Sequence, residues 1–161
     1  MQDVKDKNAE QTEEKYFQVV TFKLENEEYG IDIMKVQEIN RMQSFTRVPN
    51  APDYVKGVIN LRGKIIPIIS LRTKFGMSEK EYDKKSRIIV VNFDNITLGF
   101  IVDSVEEVLT IPESSVDTAL NISTNIHSNY IKGVAKIDER LIILLELEKL
   151  FSDEEKEKMN I

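Results

Sequence analysis

The chain has 161 residues, 41% of them hydrophobic, with no cysteine, one histidine and a formal net charge of −6. Such a chain fits one ordinary domain or two small packed ones, and it can bury roughly 70% of its unfolded surface without metals or disulfides. Lack of cysteine excludes disulfides, thiol nucleophiles and cysteine-ligated zinc; with neither a signal-like start nor an apolar run near the roughly 20 residues of a bilayer span, a soluble, unsecreted protein is expected.

Charge gathers at the two ends. Residues 1–15 carry five acids and three lysines, and residues 152–161 carry four acids and two lysines, each a net −2. The body between them has no basic face to displace phosphate counterions, which argues against a nucleic-acid partner. "MQDVKDKNAEQTEEK" (1–15) is polar enough to predict a disordered arm. From Tyr16 onward strand signals dominate. "YFQVVTFKL" (16–24) and "SRIIVVNF" (86–93) are rich in β-branched and aromatic residues, and turn signals follow both. Asn50-Ala51-Pro52 predicts a helix start with Gly57 as its stop, and Ser70 to Gly76 predicts another helical turn. "IIPII" (65–69) and "LIILLEL" (141–147) are short and β-branched, which favours strands. Pro67, lacking an N–H, is expected at an edge or a bulge. Ser152 followed by Glu155 forms a capping-box pattern and predicts a short charged helix or tail over 153–161.

An internal repeat organises these pieces. "YVKGVINLRGKIIPIISLRTKF" (54–75) matches "YIKGVAKIDERLIILLELEKLF" (130–151) without a gap. Upstream, "YGIDIMKVQEI" (29–39) matches "LGFIVDSVEEV" (98–108), and "VVTF" (19–22) is aligned with "VVNF" (90–93). Strand, glycine turn, V-x-E segment, helical turn and strand pair therefore occur twice, at about 17–80 and 86–151. Each half is marginal in size, so the two should share an apolar layer, and closing each into a small barrel would remove exposed edges.

The two copies keep their apolar skeleton and differ most at one turn, where "NLRG" (60–63) becomes "KIDE" (136–139). Arg62 is thus expected on an exposed corner, with Gly63 supplying a positive φ. Solvated turn arginines are common, but a charge that flips on a retained scaffold points to recognition. Val36 and Val105 of the V-x-E segments should be half-buried, with their acids facing solvent, a mixture suited to protein recognition.

Catalysis finds little support. His127 is the sole histidine and no G-x-S-x-G elbow accompanies Ser123, Ser128 or Asp117. "GVINLRGK" (57–64) fails as a phosphate loop: its glycine spacing is too long, and Ile65 stands where a magnesium-binding hydroxyl belongs. Asp32, Glu38, Glu106 and Glu107 could supply a carboxylate pair for a small hydrolase, though surface acids are far commoner than catalytic ones. No cofactor or metal is expected.

"EEYGIDIMKVQEI", "VPNAPDYVKGVINLRGKIIPIISLRTKFG" and "IVDSVEEVL" closely resemble the CheW family of bacterial chemotaxis coupling proteins, over about Tyr16 to Phe151. The resemblance implies a mostly β fold of two SH3-like five-stranded barrel subdomains on a shared core within a CheW-like domain of about 16–152. It implies a non-catalytic cytoplasmic adaptor, recruited to membrane receptor arrays without inserting into the bilayer. The implied partners are the regulatory domain of the histidine kinase CheA and the cytoplasmic tips of chemoreceptors, with CheW–CheW contacts in arrays as a further option. Ile33, Val36, Glu38, Arg62, Val105 and Val108 match the family's receptor groove, and Gly57 is the one candidate kinase-binding position. A CheV-like coupling module is the alternative within the binding class; its second domain would not fit in this length.

Overall fold

The structure, a computed structural model, describes residues 13–118 and 128–159. Most of the predicted arm, Ser123 and His127 lie outside those residues. Among the described residues eleven strands form, in the order β1 (Tyr16–Leu24), β2 (Glu27–Asp32), β3 (Val36–Arg41), β4 (Val55–Leu61), β5 (Lys64–Ser70), β6 (Arg87–Phe93), β7 (Ile96–Val102), β8 (Ser104–Pro112), β9 (Val116–Asp117), β10 (Ile131–Ile137) and β11 (Arg140–Leu145). Helix α1 (Leu71–Lys74) follows β5, and α2 (Asp153–Met159) comes last. Ser70 caps α1 by accepting from Thr73 N–H, and the predicted capping box of α2 forms with Ser152 and Glu155 accepting from each other's N–H.

The repeat halves and the sheets do not coincide. A six-stranded sheet runs β8-β1-β2-β11-β10-β9, and a five-stranded sheet runs β3-β6-β7-β5-β4. The six-stranded sheet takes two strands from the first half and four from the second, and the five-stranded sheet takes three and two, so a barrel confined to one half is not what forms. The exchange is reciprocal. β2 pairs in parallel with β11, setting Gly30 opposite Leu144, and β5 pairs in parallel with β7, setting Ile68 opposite Gly99. These two pairings occupy equivalent repeat positions.

One register differs from the sequence match. Thr21 stands opposite Gly30 and Val90 opposite Gly99, which equates Val19–Phe22 with Ile88–Val91, two residues from the "VVNF" alignment. A run of β-branched residues keeps the same faces buried after a shift of two, so the apolar pattern alone does not distinguish the registers. The helix predicted at Asn50-Ala51-Pro52 is also absent, and Gly57 lies within β4.

Three apolar clusters hold the molecule together. Val19, Ile111, Ala135, Ile142 and Leu144 pack inside the six-stranded sheet. Ile59, Ile66, Ile68, Ile88, Val90 and Ile101 pack inside the five-stranded one. A larger cluster of residues from both sheets, including Phe22, Tyr29, Ile69, Phe75, Ile89, Phe100 and Phe151, joins them. Strand β6 shows the cause of its unbroken apolar run: Ile88 and Val90 face one core, Ile89 and Val91 the other. Curling is completed along the chain itself. Beyond β3, Thr46 exchanges backbone hydrogen bonds with Val58 of β4, and beyond β8 the short β9 pairs with β10. This closure is compatible with barrel-like subdomains.

Those Thr46 bonds also explain Pro67. Val58 directs its N–H and C=O at Thr46, so its opposite number, Pro67, directs its nitrogen away from β4, where the β7 pairing begins only at Ile68. Pro67 thus sits on an inner strand beside the bulge at Val55–Gly57 and removes no ladder bond.

At the join, Tyr54 packs on Phe151 and Phe75 on Tyr130, the same contact made twice across the repeat. Lys74 is enclosed there, its ammonium 4.4 Å from the Tyr54 ring centre and 5.0 Å from that of Phe151. Glu155 of α2 accepts from Tyr54 and pairs with Lys74 at 3.4 Å. Burial would raise the Glu155 carboxyl, but the Ser152 N–H, Tyr54 and Lys74 outweigh it and hold it below its ordinary value.

Because neither half contains a complete sheet, residues 1–81 and 82–161 produced separately should lack cooperative melting transitions. Mixed, they should regain one. Circular dichroism melting of each fragment and of the mixture checks this, and two independently folded fragments would contradict it.

Candidate partner-binding surface

Arg62 occupies the tip of the β4–β5 hairpin in the left-handed region, φ 53°, followed by Gly63 at φ 85°. Two successive positive φ angles define the tight turn that suits the twist of paired strands. Asn60 fixes it by accepting from the Gly63 N–H at 2.8 Å. The turn aims the guanidinium at β3, where Arg62 donates to both carboxylate oxygens of Glu38 at 2.5 and 3.3 Å. Arg62 remains 71% exposed while Glu38 is 18% exposed. Arg62 thereby holds the Glu38 carboxyl below its ordinary range, and Glu38 raises Arg62 in return. The clamp ties an outer strand of the sheet to the hairpin at its opposite edge.

The other residues of the expected groove fall into two classes. Ile33, Val36 and Val105 are half-buried, all three packing on the cluster shared by the two sheets. Val108 is 49% exposed on β8, opposite Val20. Val36 and Val105 are repeat equivalents on the outer strands β3 and β8, so the apolar floor draws on both sheets. Sequence reasoning missed Ile39, the equivalent of Val108, which is 41% exposed. The repeat offset that equates Gly30 with Gly99 also equates these two positions, so the signal was present.

Of the acids expected to face solvent, Glu106 and Glu107 are exposed while Asp32 and Glu38 are half-buried, and each has a partner. Asp32 accepts from the Met34 N–H, Glu38 holds Arg62, Glu106 pairs with Lys23 and Glu107 with Arg140. The four acids are thus held by four different partners. Among the described residues no group of three or more His, Cys, Asp or Glu could hold a metal ion, and no helix is long and apolar enough to cross a membrane.

Gly57 is buried within β4. A Cβ at this position would lie 2.5 Å from the Thr46 carbonyl oxygen and 2.8 Å from the Phe45 ring. Its lack of a side chain admits the segment that closes the sheet. Gly57→Ala should therefore destabilise the fold by about 1–3 kcal/mol. Thermal melting checks this, and an unchanged Tm would contradict it.

Comparison with known proteins agrees with this architecture. The family model of the CheW-like domain matches residues 18–155. A chemotaxis protein CheW from Klebsiella aerogenes is 45% identical over 134 residues, 83% of this chain and 81% of that one. One from Treponema pallidum is 37% identical over 147 residues, 89% and 86% of the two chains. Chemotaxis protein CheV3 from Helicobacter pylori is 33% identical over 128 residues, which cover 78% of this chain and 41% of that protein. The crystal structure of the scaffolding protein TtCheW from Thermoanaerobacter tengcongensis superposes with a TM-score of 0.81 at 38% identity, covering 88% of this chain and 97% of that one. With matches of this extent to sequence and fold alike, the chain belongs to the CheW-like domain family.

Proposed function

We propose that this chain is a non-catalytic chemotaxis adaptor that couples the cytoplasmic tips of chemoreceptors to the histidine kinase CheA, and that it does so through separable surfaces. The Glu38–Arg62 clamp carries the receptor side of this proposal: a largely exposed guanidinium, held rigid on a hairpin tip, in a chain whose Ile33, Val36 and Val105 offer half-buried apolar area. An apolar floor with an oriented charge at its margin is the arrangement of a specific protein interface. On the kinase side, Gly57 is buried, so its contribution would pass through the Phe45–Thr46 segment that it admits. Such an adaptor works in the cytoplasm at receptor arrays, where copies of the chain would also contact one another. A CheV-like setting would use the same module, and the likeness to CheV3 favours it only over part of that protein's length.

Arg62→Asp tests the proposal. The same backbone position in the other hairpin is Asp138 at φ 54°, so the turn accepts an aspartate and Tm should hold. Reversing the charge should weaken binding of a receptor signalling fragment about tenfold or more while leaving CheA affinity unchanged. Parallel titrations of wild type and variant with both partners decide it. If both affinities fall together, or neither moves, Arg62 does not serve a separate receptor surface.

A further inference from the structure

The reciprocal exchange of strands gives the clamp a counterpart. Glu107 on β8 is the repeat equivalent of Glu38 on β3, and the hairpin facing it is β10–β11 in place of β4–β5. The arginine, however, has moved. Position 138, which corresponds to Arg62, is an aspartate, and Arg140, which corresponds to Lys64, reaches Glu107 at 3.0 Å. Arg140 also donates to both oxygens of Glu28 at 3.1 and 2.5 Å. Lys64 makes the matching contact in the other sheet, donating to Thr97, the counterpart of Glu28, at 3.0 Å. The backbone of Glu107 is fixed as well: the buried Thr21 hydroxyl donates to its C=O and accepts from its N–H.

From this we infer that Arg140 is a positioning residue of the partner surface. It holds Glu107, which lies between Val105 and Val108 in the chain, as Arg62 holds Glu38 between Val36 and Ile39. The surface then has two flanks related by the repeat, each with a glutamate held by an arginine from a hairpin and, next along the same strand, an exposed aliphatic residue, Ile39 or Val108.

Their charges differ. The first flank adds Arg62 and Lys64 to one acid, Glu38. The second sets Lys136 and Arg140 against Glu107, Asp138 and Glu139, while Glu28 is engaged by Arg140. A surface of two similar flanks would accept an extended partner in either of two directions, whereas opposite polarity admits one. The partner segment that fits presents acidic groups to Arg62 and Lys64, apolar side chains to the floor, and basic groups to the Glu107 flank. This assignment rests on the proposed receptor side.

The experiment uses the full chain with a receptor signalling fragment and CheA, titrated in parallel at two salt concentrations. The variants are Glu107→Gln, Arg140→Gln, Arg140→Lys and Glu28→Gln, with Arg62→Asp as reference. Glu107→Gln and Arg140→Gln should weaken receptor binding about fivefold or more and flatten its salt dependence, with CheA affinity unchanged. Arg140→Lys should recover part of the loss, because it keeps the charge but not the fork that reaches two acids. Glu28→Gln, which touches only the structural arm of Arg140, should leave receptor affinity as it was. If Arg62→Asp weakens receptor binding and the Glu107 and Arg140 variants do not, the second flank is not part of the surface, although the first stands. If none of the variants weakens it, the receptor side itself is misplaced. Should Arg140→Gln and Glu28→Gln reduce both affinities together with Tm, Arg140 is structural and the inference fails.

Discussion

Two parallel strand pairings, β2 with β11 and β5 with β7, determine the rest of this molecule. Each joins the early part of one sequence half to the late part of the other, so no half can complete a sheet by itself. Close packing makes the pairings possible. A Cβ on Gly99 would lie 2.7 Å from Ile88 and 2.9 Å from Ile68, and one on Gly30 would press on Val19, Ile142 and Leu144 at 3.1 to 3.2 Å. Interior strands at this density transmit strain, so both sheets and the cluster between them should respond to a perturbation as one body.

Rigidity of that kind suits an adaptor. The outer strands β3 and β8 are left with one neighbour each, and their half-buried valines rest on the shared cluster. Charged clamps at Glu38–Arg62 and Glu107–Arg140 tie these strands to the hairpins opposite, which covers open edges that would otherwise invite nonspecific pairing. In the proposed partner surface the same clamps would orient charge without a further ordering cost at binding. Exposed ion pairs contribute little to stability, so their value here lies in geometry.

Much of this was legible in the sequence. The strand runs, the Ser70 helical turn, the α2 capping box and the exposed Arg62 turn all follow from local chemistry, and the structure contains each of them. Strand exchange was not legible, because a repeat shows which segments are alike and not which partner each selects. Val19 to Phe22 could match either Ile88–Val91 or Val90–Phe93, since alternation on a doubly buried strand is satisfied by both. Gly57 was mistaken for a helix stop because glycine signals both a chain break and a close backbone approach, and only the position of Thr46 separates the two. Glu38 was expected to face solvent because its counter-charge lies 24 residues away, across a hairpin. Such a pairing has no local signature.

Native-state hydrogen exchange, followed amide by amide through β2 and β11 and through β5 and β7, tests the interlocked architecture most directly. If the two halves form one cooperative body, the slowest amides of both sheets share a single opening free energy, equal to that of global unfolding within about half a kcal/mol. Two distinct plateaus, one for each sheet, would contradict the account, because the sheets would then open independently of the cluster that is held to join them.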